Sequence, residues 1–237
     1  MATQQTISLG KKYLQFFKEP VLEIGSKFWP EYIQYSPRDL HNENTDYIGI
    51  DIEEGSGVDR ILDLSSKKTN VKKLGWEEKF NTIHCHCVLE HITDIFTFSK
   101  NLDRVLKQGG RLFITIPFSW KIHRLPIDMW RFTPQSIDYL FPNIFFNKED
   151  CFYSTRKSGD LIPVDSGPRE LHLGSKLIDN GIIIFLIIKI LKKFKLDKNF
   201  FNERALLLEN NLMMIGEKFD SNQYTFLPEK YSTEFIF

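Results

Sequence analysis

Two strand-like runs end in residues that can hold a nucleoside. Val21-Leu22-Glu23-Ile24 leads into Gly25 and Ser26, and Tyr47-Ile48-Gly49-Ile50 leads into Asp51 and Ile52. A glycine at a strand's carboxyl end admits a ligand close to the backbone, and an acid at the end of the next strand can grip a ribose diol. The pair implies a nucleoside-containing cofactor at the switch point of a parallel sheet. Lys27 and Trp29 stand where further glycines of a Gly-x-Gly-x-x-Gly turn are expected. A pyrophosphate needs close backbone approach, so the bulkier loop argues against a dinucleotide. His84-Cys85-His86-Cys87 invites a metal reading. In a strand, 84 and 86 face one way and 85 and 87 the other, leaving two ligands per face and an incomplete zinc site. With no second paired cluster, no metal is expected there. Ser26, Ser65 and Ser119 lack a nucleophile-elbow context, so hydrolase chemistry is not expected.

These residues need a sheet to position them. Four to six apolar residues bounded by glycine read as buried parallel strands. The third strand is expected at Arg60 to Leu64, the fourth at Phe80 to Val88 and the fifth at Arg111 to Phe118. Ser8 can cap a first helix that carries Leu9, Tyr13, Phe16 and Phe17 on one face. Val71, Leu74 and Trp76 mark a weak helix. Ile95, Phe98, Leu102, Val105 and Leu106 mark a clear one, started by Thr93 or Asp94 and ended by Gly109-Gly110. Thr133-Pro134 starts another, with Ile137, Leu140 and Phe141 as its apolar face. Strands alternating with helices imply a parallel sheet with right-handed crossovers. Ala205 to Leu208 and Asn211 to Gly216 read as a closing hairpin. The organisation expected is an N-terminal helix (1–19), a cofactor-binding core (20–150) and a C-terminal elaboration (151–237).

The chain has 237 residues, 31 basic and 31 acidic, so no global field favours nucleic acid. Three cysteines are too few for a disulfide framework, and a reducing cytoplasm is the simplest setting. The start of the chain does not read as a signal peptide. Ile182 to Ile188 is too short to span a bilayer. The favoured reading is a buried helix. The alternative is peripheral membrane contact through 182–195, with Lys189, Lys192, Lys193 and Lys195 beside the apolar run.

The ordered motifs resemble a known family. Val-Leu-Glu-Ile-Gly-Ser, Tyr-Ile-Gly-Ile-Asp, Leu-Asp-Leu, Val-Leu-Glu-His and Arg-Val-Leu-Lys-Gln-Gly-Gly-Arg-Leu look like the class I S-adenosylmethionine-dependent methyltransferases. More narrowly, they resemble the small-molecule branch with Leu-Glu-His after the fourth strand. The resemblance covers roughly residues 20 to 142. Val58-Asp59, and the stretch from His123 to Pro134, resemble a subgroup that often accompanies surface-polysaccharide or other glycan biosynthesis. The fold implied is α/β and Rossmann-like: a mostly parallel central sheet, an antiparallel last strand and a helical C-terminal elaboration.

The resemblance implies S-adenosylmethionine as cofactor. Glu23, Gly25 and Ser26 match the motif around its methionine end. Asp51 matches the ribose-binding acid, and Ile52 the apolar neighbour of adenine. Asp63 and Leu64 match the pair near the adenine amino group, and Val88, Leu89 and Glu90 the turn beneath the cofactor. Asn81 departs from the family's usual aspartate at a position read as structural. The expected activity is methyl transfer to a small-molecule or glycan acceptor. For a hydroxyl acceptor a general base helps, and His91 and His123, both placed at the carboxyl edge of the sheet, are the candidates. Asp128, Trp130 and Arg131 are candidate substrate-binding residues, Trp130 by stacking on a sugar ring. Two alternatives stay open: a non-catalytic S-adenosylmethionine-binding module of the same fold, and a nicotinamide-dependent oxidoreductase.

Overall fold

The computed structural model of the chain describes residues 4–30, 35–123, 126–155, 159–164, 177–196 and 209–219. The short apolar runs form strands β1 (Val21–Ile24), β2 (Tyr47–Asp51), β3 (Arg60–Ile61), β4 (Phe80–His86) and β5 (Leu106–Ser119). They are followed by β6 (Ile144–Thr155), β7 (Ile162–Pro163) and β8 (Asn210–Lys218). Among the described residues these make one sheet in the order β3-β2-β1-β4-β5-β8-β6-β7. Strands β1 to β5 run parallel, and the last strand, β8, lies antiparallel between β5 and β6. The parallel part is what the alternation of strands and helices predicts, and the antiparallel last strand is what the family resemblance implies.

Strand alternation sorts the core into two layers. Leu22, Ile24, Ile83, Cys85, Leu112 and Ile114 pack on one face under helices α2 (Ile95–Val105) and α3 (Pro134–Leu140). Phe113, Phe152, Met213 and Ile215 point the other way, against Leu9 and Tyr13. Leu9 lies in helix α1 (Gln4–Lys12) and Tyr13 directly follows it. Asp94 caps α2 by accepting the Thr97 N–H at 3.0 Å, and Thr133 caps α3 with Pro134 in its first turn. Local capping chemistry thus sets two of the helix starts, while burial of one apolar stripe holds the helices down.

Several expectations need correction. Ser8 sits inside α1 rather than at its start. Residues 71–75 form turns, not a helix, although Val71 and Trp76 are buried as their apolarity requires. The third strand is only Arg60–Ile61, and Leu64 reaches the core from outside the ladder. Helix α2 ends at Val105, before Gly109-Gly110. Strand β6 has no counterpart in the sequence reading and runs through residue 150. Its apolar alternation is broken by the polar run Asn147-Lys148-Glu149-Asp150, where the pairing register with β8 shifts. Of the closing hairpin, 205–208 lies outside the described residues, and 211–216 belongs to β8, whose partners are β5 and β6.

The apolar helix is also placed differently from the favoured reading. After helix α4 (Leu177–Asn180), helix α5 (Ile182–Lys193) buries only Ile188. Ile182, Ile183, Leu186 and Ile190 are 68%, 71%, 53% and 57% exposed. Apolar composition says that a helix wants a neighbour; it does not supply one.

Candidate functional site

The parallel register puts the carboxyl ends of β1, β2 and β4 side by side, with Ile24 level with Ile50 and Cys85. The loops leaving them enclose a cleft of about 320 Å³, a size that takes a small-molecule ligand. Of the residues singled out in the sequence, Gly25, Asp51, Ile52, Asp63, Leu64, Val88 and His91 line it. Ile24, Ile50, Leu62 and Phe98 add apolar wall.

The first loop is pinned to the end of β2. Gly25 and Ser26 donate their N–H groups to the Ile50 carbonyl at 2.9 and 3.0 Å. Gly25 has φ +73°, and a Cβ there would lie 2.5 Å from Val88 Cγ2. The position therefore needs glycine twice over, for the left-handed backbone and for the wall behind it. Gly25→Ala is expected to cost about 1–3 kcal/mol of stability, from left-handed strain plus displacement of Val88. Urea unfolding of the variant measures it, and an unchanged midpoint contradicts this backbone. Gly57, at φ +83°, closes the same loop from below; a Cβ there would strike the Ser26 carbonyl at 2.6 Å.

Asp51 is held in place by backbone. Its carboxylate accepts the Lys27 N–H at 3.0 Å and the Glu53 N–H at 3.2 Å. Asp63 is fixed by Ser65, whose N–H and hydroxyl donate to Oδ1 at 2.7 and 2.6 Å. Lys27 and Trp29, which replace the expected glycines, form a wall of the cleft. The Lys27 ammonium sits 4.2 Å from the Trp29 ring centroid and 2.8 Å from Glu53 Oε2. Cys87 also lines the cleft, with φ +53° and a thiol that burial pushes up to about 12. The sequence carried no signal for Cys87, because cysteine is not a residue type that marks positive φ.

Other predicted residues lie off the cleft lining. Glu23 is on the opposite face from Ile24, as alternation demands, and accepts the Tyr47 hydroxyl at 2.8 Å. Burial pushes its carboxyl up to about 7, opposed by that hydrogen bond. Ser26 and Leu89 are buried behind the loops. Glu90, His123, Asp128, Trp130 and Arg131 form a separate group at the rim.

That group is tightly knit. Asp128 accepts the His123 backbone N–H at 2.9 Å and Arg131 Nη2 at 2.8 Å, and also bonds Arg131 Nη1. The Arg131 guanidinium holds the Asp128 carboxyl far below the usual range. Trp130 Nε1 donates to the Ile92 carbonyl at 2.7 Å, which anchors one edge of a half-buried indole. The His91 and His123 rings meet edge to face with centroids 5.1 Å apart. His91 Nδ1 bonds the Ile127 carbonyl. Burial lowers the His91 pKa, so its imidazole favours the neutral form.

His84 and His86 share one face of β4, as the two-residue period requires. They belong to a buried column outside the cleft: His41 Nε2 lies 3.0 Å from His84 Nε2, His84 Nδ1 3.3 Å from His86 Nε2, and His86 Nδ1 2.9 Å from Thr115 Oγ1. Cys85 points to the opposite layer, in the apolar core.

Known proteins share this fold. Residues 33–114 match a family described as a methyltransferase domain. No curated protein matches the chain. Among solved structures, a SAM-dependent methyltransferase from Archaeoglobus fulgidus is 17% identical, with TM-score 0.53, covering 92% of this chain and 95% of that one. The 1,6-didemethyltoxoflavin-N1-methyltransferase of Burkholderia thailandensis is 11% identical, with TM-score 0.53, covering 92% and 79%. A putative sarcosine dimethylglycine methyltransferase from Galdieria sulphuraria is 12% identical, with TM-score 0.50, covering 92% and 85%. The chain shares the Rossmann-like methyltransferase fold of these structures.

Proposed function

We propose that the chain transfers a methyl group from S-adenosylmethionine to a small-molecule or glycan acceptor. The carrying observation is the cleft itself, where a bare glycine turn, a backbone-fixed carboxylate and an apolar slot meet at the sheet's carboxyl edge. These residues fit the group. Asp51 would hold the ribose hydroxyls, Ile52, Leu62 and Leu64 would offer apolar contact to the adenine, and Asp63 would meet its amino group. Gly25 allows close approach at the methionine end, and Val88 forms the floor. Glu23, Ser26 and Leu89 would support these loops from behind. When bound, the group supplies a methyl carbon on a sulfonium centre. The protein's part is proximity and alignment for an in-line displacement. The acceptor would enter at the rim beside His91 and His123, the candidate bases for its proton, with Asp128 and Arg131 holding the rim segment in shape.

Isothermal calorimetry with S-adenosylhomocysteine tests the reading. One saturable site per folded chain is expected; no heat of binding would overturn it.

The exposed α5 supports a further part of the reading, contact with an anionic membrane surface. Its apolar residues stand in solvent, and Lys189, Lys192, Lys193 and Lys195 are exposed beside them. Among the described residues no helix is long and apolar enough to cross a membrane. Flotation with phosphatidylserine vesicles is expected to carry the protein upward, and salt to release part of it. A protein that stays at the bottom of the gradient at low salt contradicts this contact.

A further inference from the structure

We propose that Glu90, His91 and His123 bind one divalent transition-metal ion at the rim of the cleft. One candidate ligand atom from each residue lies within 4.8 Å of the others. The Glu90 side chain is 0% exposed, and neither carboxylate oxygen has a hydrogen-bond partner. A buried carboxylate with both oxygens unpaired is costly and calls for a cation or a proton. The Ile127 carbonyl can only accept, so His91 Nδ1 carries the ring proton. His91 Nε2 is then a bare lone pair. It is buried, has no hydrogen-bond partner, and faces Glu90 Oε1 at 3.6 Å. Two lone-pair atoms facing across that gap repel each other. A metal at about 2.0–2.2 Å from each would sit between them with ordinary ligand-to-ligand separations.

The surroundings match a metal site in a second respect. A ligating histidine commonly donates its other N–H to a backbone carbonyl or a carboxylate. His91 does so to Ile127. His123 Nδ1 is likewise buried with no hydrogen-bond partner, and lies 3.2 Å from Asp128 Oδ2. The nearby cation, Arg131, is engaged by Asp128 through both terminal nitrogens. With neutral imidazoles the cluster of Glu90, Asp128 and Arg131 keeps one net negative charge. Two imidazoles and one carboxylate suit zinc, iron(II), cobalt(II) or manganese(II), and three protein ligands leave open positions. This differs from the His84–Cys87 run, which supplies none of the ligands.

The inference rests on the proposed methyl transfer for its use, though not for its detection. Because His91 also lines the cleft, an open position faces the acceptor. A hydroxyl coordinated there releases its proton to solvent more readily. Its oxygen then forms the new bond to the methyl carbon, and the old sulfur–carbon bond breaks with its electron pair left on sulfur.

The test uses full-length protein stripped with a chelator and titrated with Co²⁺ and Zn²⁺ in the absence of the methyl donor. One equivalent per chain is expected, with visible Co²⁺ absorption typical of nitrogen–oxygen coordination. Glu90→Gln and His123→Gln are each expected to weaken uptake at least about tenfold, with circular dichroism showing that the variants are folded. No saturable uptake by wild-type protein overturns the site, as does uptake that neither substitution changes. Calorimetry of S-adenosylhomocysteine on the same stripped protein separates the two proposals. Cofactor binding without metal binding removes only the metal site; metal binding without cofactor binding removes only the methyltransferase reading.

Discussion

Asp51→Ala is expected to weaken S-adenosylhomocysteine binding by about 1–3 kcal/mol, or roughly 5- to 150-fold in Kd. Two losses combine. The ribose hydroxyls lose a charged acceptor, and the Lys27 and Glu53 N–H groups lose the carboxylate that now fixes them. Asp51→Asn separates these losses. It keeps one acceptor oxygen for the backbone while removing the charge, so a smaller loss is expected. Calorimetry on both variants measures the order Ala worse than Asn worse than wild type. Unchanged affinity in Asp51→Ala rejects the ribose assignment.

The second large effect concerns acid and lies far from the cleft. Burial lowers His86 to about 3, His41 to about 4, and His84 well below its ordinary value. Their charged forms exist in the unfolded chain below about pH 6.5, but not in the folded one. The folded pKa is depressed, so the unfolded state binds more protons on acidification, and stability falls as pH drops from about 6.5 toward 3. Buried Glu23 works oppositely, because its raised pKa lets the folded state take up a proton first. A difference measurement removes that term. Relative to wild type, His86→Gln is expected to recover about 2 kcal/mol of stability between pH 7 and pH 5, since one proton uptake has been deleted. Urea unfolding of both proteins at the two pH values tests this. Parallel stabilities would mean that His86 titrates normally and is not held in the column.

Much of the cleft lining was legible because it depends on strand ends. Gly25, Asp51, Asp63 and Val88 each follow a short apolar run, and parallel pairing brings those ends to one edge whatever the rest of the chain does. Glu23 was the weak member for the same reason. Its parity puts it on the other face, where it meets Tyr47. The wall formed by Lys27 and Trp29 was visible only as missing glycines. That a lysine would lie over a tryptophan and pair with Glu53 required the loop's path. Strand β6 stayed hidden because the bulge at 147–150 erased its two-residue period.

The chain's local chemistry, by itself, determined the parallel strands β1 to β5, the capped starts of α2 and α3, and the split of His84 and His86 from Cys85. Each follows from spacing within a few residues and from backbone geometry that no distant contact can reverse. Tertiary structure alone decided which groups meet. It turned two histidines on β4 and one before β2 into a buried column. It left α5 standing in solvent. It also drew His123, 32 positions after His91, against that ring and the unpaired Glu90 carboxylate. Such meetings depend on how the loops beyond β4 and β5 fold over one sheet edge, and no short stretch of sequence encodes that distance.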